Sequence, residues 1–134
     1  MSVRAIPLLV LAFVLYNAIV LTLGLEALTK QIFHLRLLSG GDWAFTWGDF
    51  ILLVTLILLF VEIVKSTFTT TSTLIDHALS MVVFIAVGVE FLTVPQAATS
   101  IFFLILIATM IDVIGGYTIG IRVARRDLNI GADQ

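Results

Sequence analysis

Cysteine is absent from the 134-residue chain, proline occurs only twice, and charged residues make up 12%. Without cysteine there is no disulfide, no thiolate metal site and no thiol redox relay. A quinone-linked thiol oxidase, a chemistry that four-helix membrane bundles can host, is therefore excluded. The scarcity of charge is the stronger constraint. A soluble domain carries about a quarter charged residues, and a chain with half that share cannot keep its surface wet. An ordinary soluble enzyme, a nucleic-acid binder and a disordered chain are all excluded on that ground.

What fills the chain instead is apolar: 60% hydrophobic residues, with 10 Phe among them, and a mean hydropathy of +1.19. A membrane-crossing helix needs about 20 mostly apolar residues. Four stretches approach or meet this, at 6–25, 50–65, 74–94 and 100–121. The first carries no charge, and Asn17 is its one strongly polar residue. It is longer than the roughly 7–15 residues of a signal-peptide core, and Gly24-Leu25-Glu26-Ala27 makes a poor cleavage site, so it reads as a retained span. Unbroken runs of helical length argue for helices rather than barrel strands, which alternate at period two. Short links at 67–73 and 93–99 make successive helices antiparallel neighbours. The expected fold is all-α: one integral membrane domain over 1–134, a four-transmembrane-helix bundle running up and down.

The first connection, 26–48, is longer. Leu28, Ile32, Leu35 and Leu38 fall near helical spacing, with Lys30, Arg36, Trp43 and Trp47 among them and a Gly40-Gly41 break. That composition predicts a helix lying in the membrane interface; the alternative is a plain extension of the first span. Four spans put Arg4, Lys65, Arg122, Arg125 and Arg126 on one side, against Lys30 and Arg36 on the other. The basic excess places both termini in the cytoplasm.

Ionisable residues inside spans are expensive, so each is a candidate functional group. Glu62 and Lys65 stand one turn apart at the end of the second span, and Asp76-His77 opens the third. Together they form a candidate proton or ion site; the plainer reading is a terminal ion pair and a helix start in wet headgroups. Asp112 lies ten residues before Arg122, hence roughly 15 Å deeper. The same count puts Thr55 and Asn17 near its depth, and no basic residue there. Asp112 is then expected to point into the bundle and to be protonated, to face water, or to hydrogen-bond to Asn17 or Thr55. It reads equally as a carrier carboxylate or as an acid that holds helices together. Ala108, Asp112, Gly116, Gly120 and Ala124 recur every four residues, and Gly116 to Gly120 is a GxxxG. Small residues at that spacing mark the packed face of the fourth span, toward neighbours in the chain or another copy. Glu90 shares a face with Asp76 and Ser80, with Lys30 or Arg36 as its expected partner, or else it is solvated.

No catalytic residue is expected, since no nucleophile motif, phosphate loop or H-E-x-x-H is present. His34 and His77 fall at opposite ends, which disfavours a shared haem. No cofactor and no metal are predicted. Small multidrug transporters resemble a plan with a glutamate inside span one, where this chain has Asn17.

Leu59-Phe60-Val61-Glu62-Ile63-Val64-Lys65 closing one span, a polar link, Asp76-His77 opening the next, and a last span ending in Arg125-Arg126 resemble the PsiE-like family of phosphate-starvation-inducible membrane proteins. The resemblance runs from Asp49 to Arg126, a little over half the chain. Glu90 departs from it, standing where such proteins tend to carry basic residues. The resemblance implies a four-span protein of the bacterial inner membrane and no defined activity. The expected role is non-enzymatic, an accessory or stress-response protein acting through helix packing with itself or a partner membrane protein in the lipid bilayer. The alternative is a proton-coupled small-solute transporter or ion pathway using Asp112 and the Glu62/Lys65/Asp76/His77 cluster.

Overall fold

The computed structural model describes residues 6–68 and 71–132; Arg4, used above for orientation, and Thr69 and Thr70 of the second link lie outside the described residues. Helix α1 spans Leu9–Leu23 and ends at Gly24, whose φ of 88° suits only glycine. A 3-10 turn over Leu25–Thr29 follows, then strands β1 (Gln31–Arg36) and β2 (Asp42–Thr46). Helices α2 (Trp47–Lys65) and α3 (Thr71–Thr93) come next, then a 3-10 turn over Pro95–Ala97 and helix α4 (Ser100–Ala132). Three of these helices, α2, α3 and α4, are long and apolar enough to cross a membrane. Helix α1 has 15 residues, short of that length by itself. The packing inverts that of a soluble protein: Leu56, Phe60, Ile85 and Leu92 stand exposed on the helices while Glu62, Asp76 and Asp112 are buried.

The interfacial helix expected over 26–48 is not there. In its place stands an antiparallel hairpin in which Phe33 pairs with Phe45, His34 with Ala44, Leu35 with Trp43 and Arg36 with Asp42. The reason is visible in the residues. From Phe33 to Arg36 apolar and polar side chains alternate, and from Asp42 to Phe45 large aromatics alternate with an acid and a small alanine, a period that belongs to a strand. Gly40, with φ 87°, closes the turn, where Leu37 N donates to Gly41 O at 2.8 Å. Phe33 and Phe45 then stack with centroids 4.9 Å apart, a cross-strand pair that no helix at this spacing forms.

The hairpin feeds directly into α2. Thr46 accepts from Asp49 N at 3.2 Å while Asp49 Oδ2 accepts from Thr46 N at 3.0 Å, a reciprocal capping box. Beside it, a Cβ on Gly48 would stand 3.0 Å from Leu28 O and 2.3 Å from Ile101 Cδ1. The start of α2 therefore lies directly against the first 3-10 turn and the start of α4. At its other end α2 meets the start of α1, where Leu8 N donates to Glu62 Oε1. Helix α1 and the 3-10 turn together thus run antiparallel along α2 from Glu62 back to Gly48.

Helix α4 packs on all three other helices. Toward its N-terminal end the interior is apolar: Tyr16, Val20, Leu28, Ile51, Val87, Phe102 and Ile105 form one buried cluster. Tyr16 sits edge-on to Phe102 at 4.9 Å. Its hydroxyl donates to Gln96 O at 2.7 Å and lies 2.8 Å from Thr99 Oγ1. One phenol thereby ties α1 to the α3–α4 turn. Tyr16→Phe keeps the ring and loses these bonds, so it should lower stability by about 1 kcal/mol. The check is thermal unfolding in detergent, with Tyr16→Phe melting below wild type.

Candidate functional site

At the opposite end of the helices the interior is polar. Glu62 lies on the last full turn of α2, and its side chain is fully buried. One carboxyl oxygen, Oε1, accepts from Leu8 N at 2.6 Å and from Lys65 Nζ at 3.0 Å. Helix α1 has no side-chain cap of its own. Glu62 supplies one from α2 and places a negative charge where the helix dipole favours it.

Lys65 completes the arrangement. Its ammonium donates to Ile6 O at 2.8 Å, to Glu62 Oε1 at 3.0 Å and to Asp76 Oδ1 at 3.2 Å. An ammonium has three donors, and here each reaches a different element: the chain before α1, α2 itself and α3. The Lys65 side chain is 14% exposed and that of Asp76 3%. This is an ion pair withdrawn from water, unlike a surface pair worth little.

Helix α3 brings His77 and Ser80 beside Asp76, all buried. The Ser80 hydroxyl donates to Asp76 O at 2.8 Å and sits against the Asp112 carboxyl of α4. The His77 ring lies over the small-residue turn of α4. A Cβ on Gly116 would stand 2.9 Å from His77 Cε1, and one on Gly120 would stand 3.3 Å from Nε2. Tyr117, between the two glycines, stacks on the imidazole at 5.2 Å. The GxxxG of α4 thus receives a ring rather than the backbone of a second helix. Ala108, three to four turns before Gly120, serves a different contact: with Thr55, Leu59 and Ile107 it lines an apolar cavity of about 210 Å³ between α2 and α4.

Asp112 belongs with this polar group. Asp76, Glu62 and Lys65 all lie within its electrostatic reach. The expectation that no cation stands nearby is corrected, since Lys65 is close enough to act on Asp112. Gly120 lies beside Ser66 O at the end of α2, so Lys65 stands level with the Gly116–Gly120 turn, and Asp112 lies one turn, about 6 Å, before Gly116.

Neither residue expected at the depth of Asp112 bonds to it. Asn17 donates to Phe13 O of its own helix at 3.0 Å and faces a groove shared with Glu90. Thr55 is buried and donates to Ile51 O at 2.7 Å. Each spends a donor on a carbonyl of its own helix turn rather than on a partner across the interior. Glu90 has one buried oxygen with no hydrogen-bond partner among the described residues. Its expected partners, Lys30 and Arg36, are exposed.

Three carboxyls, one ammonium and one imidazole therefore share one buried region. Two acids are in excess of the cation, and protons, a bound cation or water must offset them. Glu62 Oε2 and His77 Nε2 are buried with no hydrogen-bond partner among the described residues. In those residues no three His, Asp or Glu side chains converge as metal ligands would. Sequence spacing had no signal for the Glu62–Leu8 cap, which is a backbone contact. For Tyr117 the signal was there, an aromatic placed between the glycines of a GxxxG.

No protein-family model, curated protein or solved structure matches the chain.

The His77 cradle separates two adjacent glycines. A Cβ on Gly115 meets nothing within 4 Å, so Gly115→Ala should be neutral or stabilise by up to about 1 kcal/mol through helix propensity. Gly116→Ala should destabilise by about 1–3 kcal/mol, because the stacked, buried ring must shift. Thermal unfolding of the two variants in detergent tests the difference, which vanishes if His77 does not occupy the cradle.

Proposed function

We propose that the chain is a four-span protein of the bacterial inner membrane with both termini cytoplasmic, and that its buried acid cluster forms a proton-linked pathway. The observation that carries this reading is the placement of Asp112 beside the Glu62–Lys65–Asp76 group. An isolated mid-span acid can be simple helix glue. Acids on three helices around one ammonium and one imidazole can exchange protons through short steps. The fourth crossing is supported by α1 and its 3-10 turn running along α2. Between the Leu8–Glu62 and Leu28–Gly48 contacts this covers about 21 Å along α2, the larger part of a helix that is itself long enough to cross.

A second reading has its own support. All three Lys65 donors are engaged in joining elements, which suits a structural pin. On that reading the protein is non-enzymatic, an accessory or stress-response component of PsiE-like type that acts by packing against a partner or a second copy.

Proton flux separates the two. In vesicles with an internal pH dye and a clamped membrane potential, wild type should dissipate an imposed pH gradient faster than Asp112→Asn. A packing role leaves both indistinguishable from protein-free vesicles, and that result would remove the proton pathway.

Topology is tested independently. A reporter inserted at the Gly40-Gly41 turn should report as external, and a fusion after Gln134 as internal. Both reporting from the same side would mean that one of α2, α3 and α4 does not cross; a reporter at the N-terminus on the hairpin's side would mean that α1 lies along them without spanning.

A further inference from the structure

The hairpin has two unlike faces. By register, Phe33, Leu35, Trp43 and Phe45 project to one side and His34, Arg36, Asp42 and Ala44 to the other. Ring contacts confirm the first set: Phe33 meets Trp43 at 5.9 Å and Trp43 meets Phe45 at 5.7 Å. The second set carries the His34–Asp42 pair, 3.8 Å apart. Among the described residues, little covers the apolar side beyond part of Phe45. Phe33 is 45% exposed, Leu35 50% and Trp43 43%, and every residue of β1 is exposed. An isolated two-stranded hairpin is marginal in water, so a stable one needs something against that face.

We propose that the apolar face of this hairpin is a membrane anchor, seated in the interfacial layer of the bilayer at the N-terminal end of α2. Continuity carries the choice of occupant. Strand β2 ends at Thr46, the N-cap of α2, and Trp47 begins the helix without a linker. The exposed apolar belt of α2 therefore continues into the hairpin face across one residue. Trp and Tyr are the side chains that favour the membrane–water boundary. Both tryptophans of the chain, Trp43 and Trp47, stand here. The opposite face, with His34, Arg36 and Asp42, is dressed for water and headgroups.

Area argues against a second copy as the occupant. Phe33, Leu35 and Trp43, each about half exposed, with the less exposed Phe45, offer on the order of 400 Å² at most, against about 800 Å² per partner in a stable interface. A lipid surface sets no such minimum, since each buried group contributes separately. The proposal is independent of the proton pathway.

The test uses the full chain in phosphatidylcholine vesicles whose acyl chains carry bromine either next to the headgroup or near the chain ends. Trp47→Phe leaves Trp43 as the only tryptophan. Its emission should be lost mainly to the shallow bromine, with little loss to aqueous acrylamide. Quenching by acrylamide but not by bromolipid places the face in water and overturns the anchor. Protection from both quenchers means that another protein copy covers the face, and overturns it equally. The reciprocal Trp43→Phe protein reports insertion through Trp47, so a quenched Trp47 beside an unquenched Trp43 is a true negative. If Trp47→Phe does not insert, the difference between wild-type and Trp43→Phe emission gives the same comparison.

Discussion

The Lys65 ammonium is the constraint on which the lower half of the molecule depends. It satisfies a backbone carbonyl ahead of α1 and one carboxyl each on α2 and α3. Glu62 can cap α1 because Lys65 holds its carboxyl in place. Asp76 can begin the buried part of α3 because the same ammonium meets it. Removing one partner of such a group leaves the others charged and dry, which is why buried pairs cost about 3–5 kcal/mol to break even where they add little net stability. The benefit of the arrangement is specificity. An ammonium with three directed donors fixes the relative height of three elements, which sliding apolar surfaces do not.

That explains the division of the interior into two halves. Around Tyr16 and Phe102 the core is apolar and shape-dependent, with one phenol hydroxyl fixing register against the α3–α4 turn. Around Lys65 it is polar and depends on charge. In a bilayer, apolar side chains gain little by leaving lipid for protein, so packing and hydrogen bonds set the helix order. Helix α4 joins the halves, since Phe102 belongs to the first and Asp112, Gly116 and Gly120 to the second.

How much of this was legible in sequence follows from what each signal measures. The apolar runs reveal α2, α3 and α4 because lipid demands length. The spacing of Glu62 and Lys65 and the short link to Asp76-His77 bring these residues to one end, since neither a helix turn nor a seven-residue link offers much freedom. Depth was another matter. Rise along a helix locates backbones, whereas the long Lys65 side chain reaches away from its own turn to Asp76 and brings a cation within reach of Asp112. The hairpin was hidden by ambiguity. Leu28, Ile32, Leu35 and Leu38 satisfy a helical spacing, while Phe33 and Leu35 satisfy a strand. What decides between them is the partner across the turn, Trp43 and Phe45, together with the positive φ of Gly40. Such information lies between segments rather than within either one.

The two glycines of α4 show the same limit at the level of one motif. A GxxxG states only that a surface is low, and says nothing of what fills it. When the neighbour is an aliphatic helix, backbones close together. Here the facing residue on α3 is His77, and the space is filled by a flat ring that also stacks on Tyr117. Held this way, the imidazole sets Nδ1 against Gly116 and Nε2 against Gly120, so both nitrogens stand along α4. The small residues thus place a titratable group among acids, at a depth where a free imidazole would be costly. Read in this setting, the packing motif and the candidate proton site are parts of one structure, and neither can be altered without moving the other.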